Sequence, residues 1–329
     1  MTEFVSRPSA HTEAGHYALH ARDFYREMLA GLDRRALGAL HRRSASRHLL
    51  LAARQILLLL AIPVLMWRFP SPWLWAPAIL LQGFIFFGFS VLLHEVVHNA
   101  VFVTTRPLAG RALGLVYGGL GFLAPSQFAR WHLDHHRELG SASKDPKRAQ
   151  LSPKRNAVWL KVLYFSPLLA PIYFLASARA ATHYPPPLMR RISVERLFVM
   201  VLHGTIFLAL WFVSPWLALG AHLAPLAFAY PIAFSLNRLG QHYVVDPEWA
   251  GAWTTLMRPN PIWNFLFLYS SYHLEHHCFP GVPFYRLPEL QRILLPVLTA
   301  RGHRPYGYGE LLHLWLLRNH APHSRPIQP

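Results

Sequence analysis

Four long apolar runs divide the chain, and each is close to the length of a membrane-spanning helix. They cover residues 49–67, 73–93, 197–213 and 217–236. A helix needs about 20 apolar residues to cross the hydrocarbon core of a bilayer. Short breaks at residues 68–72 and 214–216 join the runs in pairs. The pattern therefore predicts an all-α membrane protein whose four transmembrane helices form two hairpins.

Polar segments precede, separate and follow the two hairpins. We assign residues 1–48 to an N-terminal segment, residues 49–290 to the membrane domain and residues 291–329 to a C-terminal tail. Between Arg22 and Leu40, apolar side chains recur at roughly helical spacing. This spacing predicts a helix that lies on the membrane surface.

Basic residues are concentrated in the polar segments and are nearly absent from the hairpin turns. Lys and Arg number 32 against 15 Asp and Glu, a formal net charge of +17. In a soluble protein this surplus would suggest nucleic acid, but 53% of this chain is hydrophobic and only 14% is charged. Basic loops mark the cytoplasmic side of membrane proteins. The charges therefore predict a multi-pass integral membrane protein with both termini and the central region cytoplasmic, and no nucleic-acid partner.

A fifth apolar stretch, residues 158–178, is ambiguous by composition. If it crossed the membrane alone, the basic C-terminal region would move to the outer side and the charge pattern would be lost. We therefore predict that this stretch lies at the membrane surface and does not span the bilayer.

Nine histidines lie just beyond the predicted cytoplasmic ends of the helices. They are His94, His98, His132, His135, His136, His242, His273, His276 and His277. Their spacings, H-x-x-x-H once and H-x-x-H-H twice, place each cluster on one face of a helix. Neutral imidazole binds iron, zinc, copper and nickel. Because one metal rarely takes more than about six ligands, the clusters predict two metals in a site held by a cytoplasmic helical cap.

Three acidic residues inside the clusters are candidates to orient the imidazole rings by accepting their second N–H. These residues are Glu95, Asp134 and Glu275. Two other functions compete with a two-metal site. The segment His94-Glu-Val-Val-His98 also matches the H-E-x-x-H pattern of zinc metalloproteases, although one zinc would leave most other histidines without a role. A metal transporter would need polar groups along its spans, and residues 73–93 offer only Gln82 and Ser90.

The order of the histidine motifs and the two hairpins resembles the integral-membrane fatty acid desaturase superfamily. The matching segments are His94-Glu-Val-Val-His-Asn99, Trp131-His-Leu-Asp-His-His136 with Asp145-Pro146, and Tyr272-His-Leu-Glu-His-His277-Cys-Phe-Pro280. The resemblance extends from about residue 49 to residue 290. It implies a di-iron centre that activates molecular oxygen, with the eight histidines of the three motifs as iron ligands. His242 is the expected additional ligand, and Asn237 lies nearby in the sequence.

The resemblance also implies a reaction and its partners. The expected activity is oxygen-dependent desaturation of an acyl-lipid or acyl-thioester, while hydroxylation, ketolation and decarboxylation of fatty acids to terminal alkenes occur on the same scaffold. A separate ferredoxin, rubredoxin or b-type cytochrome with its reductase is implied as electron donor, because the one cysteine is Cys278. Basic residues including Lys144 and Lys147 could dock such a carrier. Candidates for a substrate tunnel are Phe86, Phe87, Phe128, Tyr269 and Tyr272.

Overall fold

The structure is a computed structural model, and it describes residues 15–325. The α-helices are His16–His20, Arg22–Ala30, Arg34–Leu40, Ala45–Arg68, Pro72–Val97, Pro107–Leu120, Pro125–Glu138, Val158–Leu163, Leu169–Ala180, Pro186–Val213, Pro215–Ala218, Tyr230–His242, Pro261–Leu266, His273–Cys278, Leu287–Ala300 and Tyr308–Leu312. Short 3-10 or π-helical turns are Lys147–Leu151, Ala181–His183, Leu219–Leu223, Pro225–Ala229, Ala250–Ala252, Phe284–Arg286 and His313–Leu317. Across residues 15–325 the β-type pairing consists of two isolated bridges, Val244 to Ser324 and Met257 to Tyr306. The predicted all-α class is therefore confirmed.

Four helices within the described part of the chain are long and apolar enough to cross a membrane, as predicted. We call them the first to fourth spans, and in chain order they are Ala45–Arg68, Pro72–Val97, Pro186–Val213 and Pro215–His242. Three of them begin with a proline, which removes one of the N–H groups that would lack a partner in the first helical turn. Each span is longer than its apolar run because additional turns continue the helix at its ends.

The second span lies at the centre of the bundle. In its most apolar 18-residue window 67% of the residues are buried, against 22% in the first span and 11% in the third. Gly83 allows the fourth span to approach closely, because a Cβ atom at Gly83 would lie 2.6 Å from the carbonyl carbon of Ala229. Large apolar side chains such as Leu57, Phe212 and Trp216 are exposed on the outer spans and turn. This apolar exterior suits contact with lipid.

Two helices of the central region, Pro107–Leu120 and Pro125–Glu138, meet at 97°. Taken together they are apolar enough to count as a broken fifth span. The second of them carries the middle histidine cluster, and Glu195 of the third span fixes its start. The Glu195 carboxylate accepts hydrogen bonds from the Ser126 backbone N–H at 2.7 Å and from the Ser126 hydroxyl at 2.6 Å. A carboxylate is favoured at this position by the free N–H groups and the dipole of the helix.

The ambiguous apolar stretch forms two short helices, Val158–Leu163 and Leu169–Ala180. The longer one has 12 residues and extends about 18 Å, well below the roughly 30 Å of a hydrocarbon core. Neither helix is therefore long enough to cross a bilayer by itself. Lys161 donates hydrogen bonds to the backbone oxygens of Trp315 at 3.0 Å and His320 at 2.9 Å. These hydrogen bonds attach the C-terminal segment around Trp315 and His320 to this stretch.

The N-terminal segment differs from the single surface helix that its pattern predicted. Between Arg22 and Leu40 it forms two helices, Arg22–Ala30 and Arg34–Leu40, and their apolar side chains pack on protein. Phe24 is buried, with its ring edge-on to Trp249 at a centroid distance of 5.1 Å. Protein thus covers the apolar face that suggested a membrane-surface location. Residues 1–14 of the predicted N-terminal segment lie outside the described residues.

The C-terminal region belongs to the folded body, whereas the sequence suggested a tail from residue 291. Helix Leu287–Ala300 buries Leu294 completely. Further along, the His323 ring lies 3.1 Å from the Ser152 hydroxyl of the central region. The helical recurrence of apolar residues explains the difference, because it supplies a face that packs on the other helices. Residues 326–329 lie outside the described part of the chain.

Candidate metal centre

The nine predicted histidines come together at one end of the spans, in two adjacent groups. The first group is His94, His98, His132, His136 and His276, and the second is His135, His242, His273 and His277. Within each group, ligand nitrogens of all members lie within 4.8 Å of one another. The groups touch where the rings of His136 and His277 stack with centroids 4.1 Å apart. The second and fourth spans both run away from hairpin turns, so their histidine-bearing ends meet on the same side.

Oxygen atoms of the protein fix which nitrogen of two rings faces the centre. His135 Nδ1 lies 2.8 Å from Asp145 Oδ1, and His242 Nδ1 lies 3.1 Å from the Trp253 carbonyl oxygen. A carbonyl or ionised carboxylate oxygen only accepts hydrogen bonds, so each Nδ1 carries the proton. Each Nε2 therefore keeps its lone pair, and that lone pair points into the histidine group.

Hydrogen bonds among the rings cannot satisfy all of these nitrogens. His242 Nε2 lies 3.0 Å from His135 Nε2 and 2.9 Å from His273 Nε2. The Nε2 atoms of His273 and His277 are also 3.0 Å apart. An imidazole nitrogen carries either one proton or one lone pair, so it can pair with one such neighbour only. A cation placed between the rings would satisfy every nitrogen at once.

The spacing of the nitrogens also fits the ligand shell of a metal. Nitrogen ligands about 2.1 Å from a metal and at right angles to each other are about 3.0 Å apart. In the five-membered group, His276 Nε2 lies 3.0 Å from His94 Nε2 and 3.1 Å from His136 Nε2. The Nε2 atoms of His98 and His132 are 2.7 Å apart. Both groups therefore have the donor atoms and the spacing to hold a metal ion.

The third histidine cluster is buried, and a side chain of the N-terminal segment forms hydrogen bonds with its backbone. Burial lowers the pKa of His273, His276 and His277 well below the ordinary histidine value. At neutral pH these rings are therefore uncharged, as metal ligation requires. The Tyr25 hydroxyl donates hydrogen bonds to the backbone oxygens of His277 at 3.2 Å and Cys278 at 3.0 Å. The N-terminal segment thus secures the end of the helix that carries this cluster.

Two of the predicted acidic residues, Glu95 and Glu275, form hydrogen bonds next to the histidine clusters. Glu95 Oε1 lies 3.2 Å from His94 Nδ1, and Glu95 Oε2 accepts a hydrogen bond from the Phe284 N–H at 3.0 Å. Glu275 instead accepts a hydrogen bond from the Gln291 side-chain amide at 2.6 Å. Burial raises the pKa of Glu275 to about 7. Glu275 therefore ties the third cluster to the following helix rather than orienting a ring.

A different aspartate occupies the position expected of Asp134. Asp134 forms an ion pair with Arg130 at 2.8 Å near the surface, away from the histidine rings. The buried Asp145, ten residues beyond His135, takes the ring nitrogen instead. Helical spacing could not indicate Asp145, because it lies in the loop after the helix. Its signal in the sequence was the Asp145-Pro146 pair that accompanied the family resemblance.

Lys147 and Asn237 also lie differently from their expected positions. Lys147 Nζ lies 3.2 Å from His132 Nδ1, and burial lowers the pKa of Lys147 to about 7. Because it faces inward, Lys147 is not available to dock an electron carrier at the surface.

Asn237 donates a hydrogen bond to the Ser270 hydroxyl at 2.6 Å and accepts one from Gln241 at 2.6 Å. The Asn237 amide thus lies beside the histidines, and its hydrogen bonds are with Ser270 and Gln241.

A cavity of about 920 Å³ opens beside the histidines, and we call it the main cavity. His94, His132, His273 and His276 form part of its wall. Its apolar and aromatic lining is Phe87, Val91, Leu123, Phe128, Trp131, Leu151, Tyr173, Tyr230, Phe234, Tyr272, Phe284 and Leu287. Its other polar lining is Ser90, Glu95, Lys147, Asn237, Arg238, Gln241 and Ser270. Three of the predicted tunnel residues, Phe87, Phe128 and Tyr272, therefore line a largely apolar cavity with a few polar groups, as ligand sites do.

A second cavity of about 1190 Å³ adjoins the main cavity within the spans. The two cavities share Leu123, Tyr173, Tyr230 and Phe234 as walls. His203 and His222 also line the second cavity, with His203 Nδ1 3.3 Å from His222 Nε2. Phe86, another predicted tunnel residue, packs against both of these rings. The apolar space beside the histidine groups therefore continues into the membrane-spanning part of the protein.

Comparison with known proteins agrees with this geometry. A family model described as fatty acid desaturase matches residues 70–309. A sphingolipid delta(4)-desaturase of Drosophila melanogaster is 29% identical over 247 residues, which are 73% of this chain and 70% of the relative. A sphingolipid delta(4)-desaturase/C4-monooxygenase of Homo sapiens is 28% identical over 277 residues, which are 81% of this chain and 78% of the relative.

Proposed function

Because this chain belongs to the fatty acid desaturase family, we propose that it is a membrane-bound di-iron enzyme that uses oxygen to introduce a double bond into a lipid chain. The observation that carries the proposal is the pair of converging histidine groups beside a largely apolar cavity. Bound iron would supply the one-electron chemistry that removes hydrogen atoms from an unactivated C–H bond.

The roles that we assign to the protein follow from its contacts. The nine histidines would hold the two metals, five around one and four around the other. Asp145 and Glu95 would keep the protons of His135 and His94 on Nδ1, away from the metals. The aromatic and apolar walls of the main cavity would hold the lipid chain against the histidine groups and exclude water.

The proposed reaction needs oxygen and an external source of electrons. Desaturation takes two hydrogen atoms from neighbouring carbons. Those two atoms, with two further electrons and two protons, reduce one oxygen molecule to two waters. The one cysteine, Cys278, is buried, so we propose a separate donor, a ferredoxin, a rubredoxin or a b-type cytochrome with its reductase.

The relatives suggest one second activity. The human relative is named as both a desaturase and a C4-monooxygenase, so hydroxylation of the chain is the second candidate for this scaffold. Both relatives are named for sphingolipids, which makes a neutral sphingolipid a candidate substrate beside acyl-lipids and acyl-thioesters. Ketolation and decarboxylation would use the same groups.

The zinc protease alternative receives less support from the contacts. A metalloprotease would need Glu95 as a general base that is free to take a proton from water. Both of its oxygens are engaged, one beside His94 and the other with the Phe284 N–H. A single zinc would also leave one whole histidine group unused.

The proposed reaction is tested by the lipid profile of cells that express the chain, measured by gas chromatography–mass spectrometry. Cells expressing the His135→Ala/His136→Ala variant serve as the matched control, because this variant removes one histidine from each group. A new double bond seen only with the intact chain is the expected result. An alcohol seen only with the intact chain would instead assign the second candidate activity.

Metal analysis of the purified protein tests the centre independently of the substrate. We expect about two iron ions per chain, and strongly reduced iron in the double variant with membrane insertion unchanged. About one zinc per chain, lost on substitution of His94, would contradict the di-iron proposal and favour the protease.

A further inference from the structure

Two buried histidines, His203 and His222, lie in the wall of the second cavity and outside both histidine groups of the metal centre. His203 belongs to the third span and His222 to the fourth. Within the described part of the chain, the other polar side chains of this wall are Tyr173 and Tyr230, and the rest of the lining is apolar. The pair is therefore a polar feature of the membrane-spanning part that the metal centre does not explain.

Hydrogen bonds fix the proton on each ring of the pair. His203 Nε2 lies 2.8 Å from the Gly119 carbonyl oxygen, which can only accept, so His203 Nε2 carries the proton. No acidic side chain of residues 15–325 lines this cavity to stabilise a second proton, so each ring is neutral and has one N–H. His203 Nδ1 therefore has a lone pair and accepts a hydrogen bond from His222 Nε2 at 3.3 Å. It follows that His222 Nδ1 also keeps a lone pair.

This remaining nitrogen, His222 Nδ1, receives no hydrogen bond from residues 15–325. The rings packed against His222 are those of His203, Phe86 and Phe207, with centroids 5.1, 5.7 and 6.4 Å away. A buried acceptor without a donor is unfavourable. A buried water molecule is typically held by about three hydrogen bonds, which these aromatic surroundings do not offer. A donor that enters with a ligand would satisfy the nitrogen.

The fourth span is irregular where it carries His222. Leu219–Leu223 and Pro225–Ala229 are π-helical turns. Such turns are rare in helices and are frequent at functional sites. His222 lies in the first of them, and Tyr230, which lines both cavities, directly follows the second. The irregular part of the span therefore forms the side of the second cavity that leads to the main cavity.

We propose that His222 binds a hydroxyl group near the far end of the lipid chain, the end remote from the metal centre, and that chains with such a hydroxyl are the preferred substrates. The inference rests on the proposed function and narrows its substrate class. The hydroxyl donates its proton to His222 Nδ1 in a neutral hydrogen bond. The hydrocarbon part of the same chain fills the apolar space around the two histidines.

Other groups at the end of a chain fit this nitrogen less well. A ketone, an ether or an ionised carboxylate only accepts hydrogen bonds, so it cannot pair with His222 Nδ1. An ammonium group could donate, but it would bring a charge into a cavity with no carboxylate in the described part of its wall. A plain hydrocarbon tail would leave the nitrogen without a partner. A hydroxyl donates without adding charge.

The fourth span also sets the expected length of the chain. Asn237, in the polar lining of the main cavity, follows His222 by 15 residues, which is about 22 Å along a helix. An extended chain advances about 1.2 Å per bond, so about 18 carbons cover that distance. A lipid whose headgroup lies beside Asn237 would therefore place a hydroxyl at His222 from about its sixteenth to eighteenth carbon.

Binding of radiolabelled methyl 16-hydroxyhexadecanoate to the full chain in lipid nanodiscs tests the proposal. The comparison ligands are methyl hexadecanoate and methyl 16-methoxyhexadecanoate, which keep the chain but have no hydrogen to donate. The variants are His222→Phe, which removes the acceptor and keeps a ring, and His222→Gln, which keeps an acceptor oxygen. Leu223→Phe is the matched control, because Leu223 lines the same cavity beside His222 and has no polar side-chain atom.

We expect the wild type to bind the hydroxy ester about five- to tenfold more tightly than either comparison ligand, after correction for partition into nanodiscs without protein. His222→Phe should abolish this preference, His222→Gln should retain part of it, and Leu223→Phe should leave it unchanged. Equal affinities for the three esters in the wild type would overturn the proposal. So would a preference for the hydroxy ester that survives in His222→Phe.

The binding assay separates this inference from the proposed function, because it needs neither electrons nor turnover. A protein that desaturates a lipid without a chain hydroxyl, yet binds the three esters alike, would keep the proposed function and lose the hydroxyl site. A protein that prefers the hydroxy ester but oxidises no lipid would lose the proposed function and keep a site for hydroxylated chains. If His222→Phe does not insert into the membrane, the wild-type ligand series and His222→Gln still decide the outcome.

Discussion

At the scale of single residues, a carboxylate behind a ring decides what that ring can bind. Asp145 lies behind His135 at 2.8 Å and is buried, so it holds the proton on Nδ1 and leaves Nε2 for the group around His242. Asp134 belongs to the same histidine motif but pairs with Arg130 near the surface. The two aspartates therefore form a natural pair of test and control.

Asp145→Asn should weaken iron retention by about tenfold or more, because the neutral amide no longer favours the protonated Nδ1 of His135. The measurement is the iron content of purified protein after dialysis against graded chelator. Asp134→Asn should stay close to the wild type, since surface ion pairs contribute little. Equal losses in the two variants would contradict the role given to Asp145.

The sequence predicted the site residues that share one face of a helix, but it did not predict those that a loop brings to the site. Eight of the nine histidines follow helical spacing, so each of the three clusters could be assigned to one face before the structure was known. Asp145 and Lys147 reach the site through the path of the chain after the helix Pro125–Glu138. No local spacing encodes such positions, so the sequence did not indicate that Lys147 Nζ lies beside His132.

At the scale of elements, the helices pack by close approach as well as by apolar contact. Gly83 of the second span lies against the fourth span, where a Cβ atom would be 2.6 Å from Ala229 backbone carbon and 2.7 Å from Tyr230 nitrogen. These two spans carry His94 and His242 near their ends. Their separation at Gly83 therefore sets how the two histidine groups meet.

Gly83→Ala should destabilise the protein by about 1–3 kcal/mol, because the new methyl group forces the second and fourth spans apart. Thermal unfolding in detergent measures the effect, and iron content should fall with it. Gly204→Ala is the control, since a Cβ atom at Gly204 of the third span meets nothing within 4 Å. A Gly83 variant as stable as the Gly204 variant would rule out the close contact.

The amphipathic character of the terminal helices explains why the spans were predicted correctly and the packing of these helices was not. Four apolar runs of about 20 residues are rare outside membranes, so their length alone identifies them. The segments around Phe24 and Leu294 are amphipathic, and amphipathicity does not say whether the apolar face meets lipid or protein. In this molecule protein covers both faces.

At the scale of the whole molecule, the two hairpins bring every histidine cluster to one end of the bundle. From the distribution of basic residues we expect that end to face the cytoplasm. The hairpin turns at Ser71 and Ser214 would then lie on the outer side. Because Cys278 is buried, introduced cysteines can report this orientation with little background.

Ser71→Cys and Ser214→Cys should react with a membrane-impermeant maleimide in intact cells, whereas Ser143→Cys should react only after lysis. Ser143 is exposed in the loop after the middle histidine cluster, so it samples the side that carries the metal centre. Labelling is read as a mass shift of the purified protein. Reaction of Ser143→Cys in intact cells would place the centre outside and overturn the orientation.

The wide separation of the histidines along the chain bears on how the centre is assembled. The converging residues run from His94 to His277, and each of the two groups combines rings from three separate segments of the chain. Neither set of donors is therefore complete until those segments have packed together. Formation of a metal-binding site at this centre is thus coupled to tertiary folding.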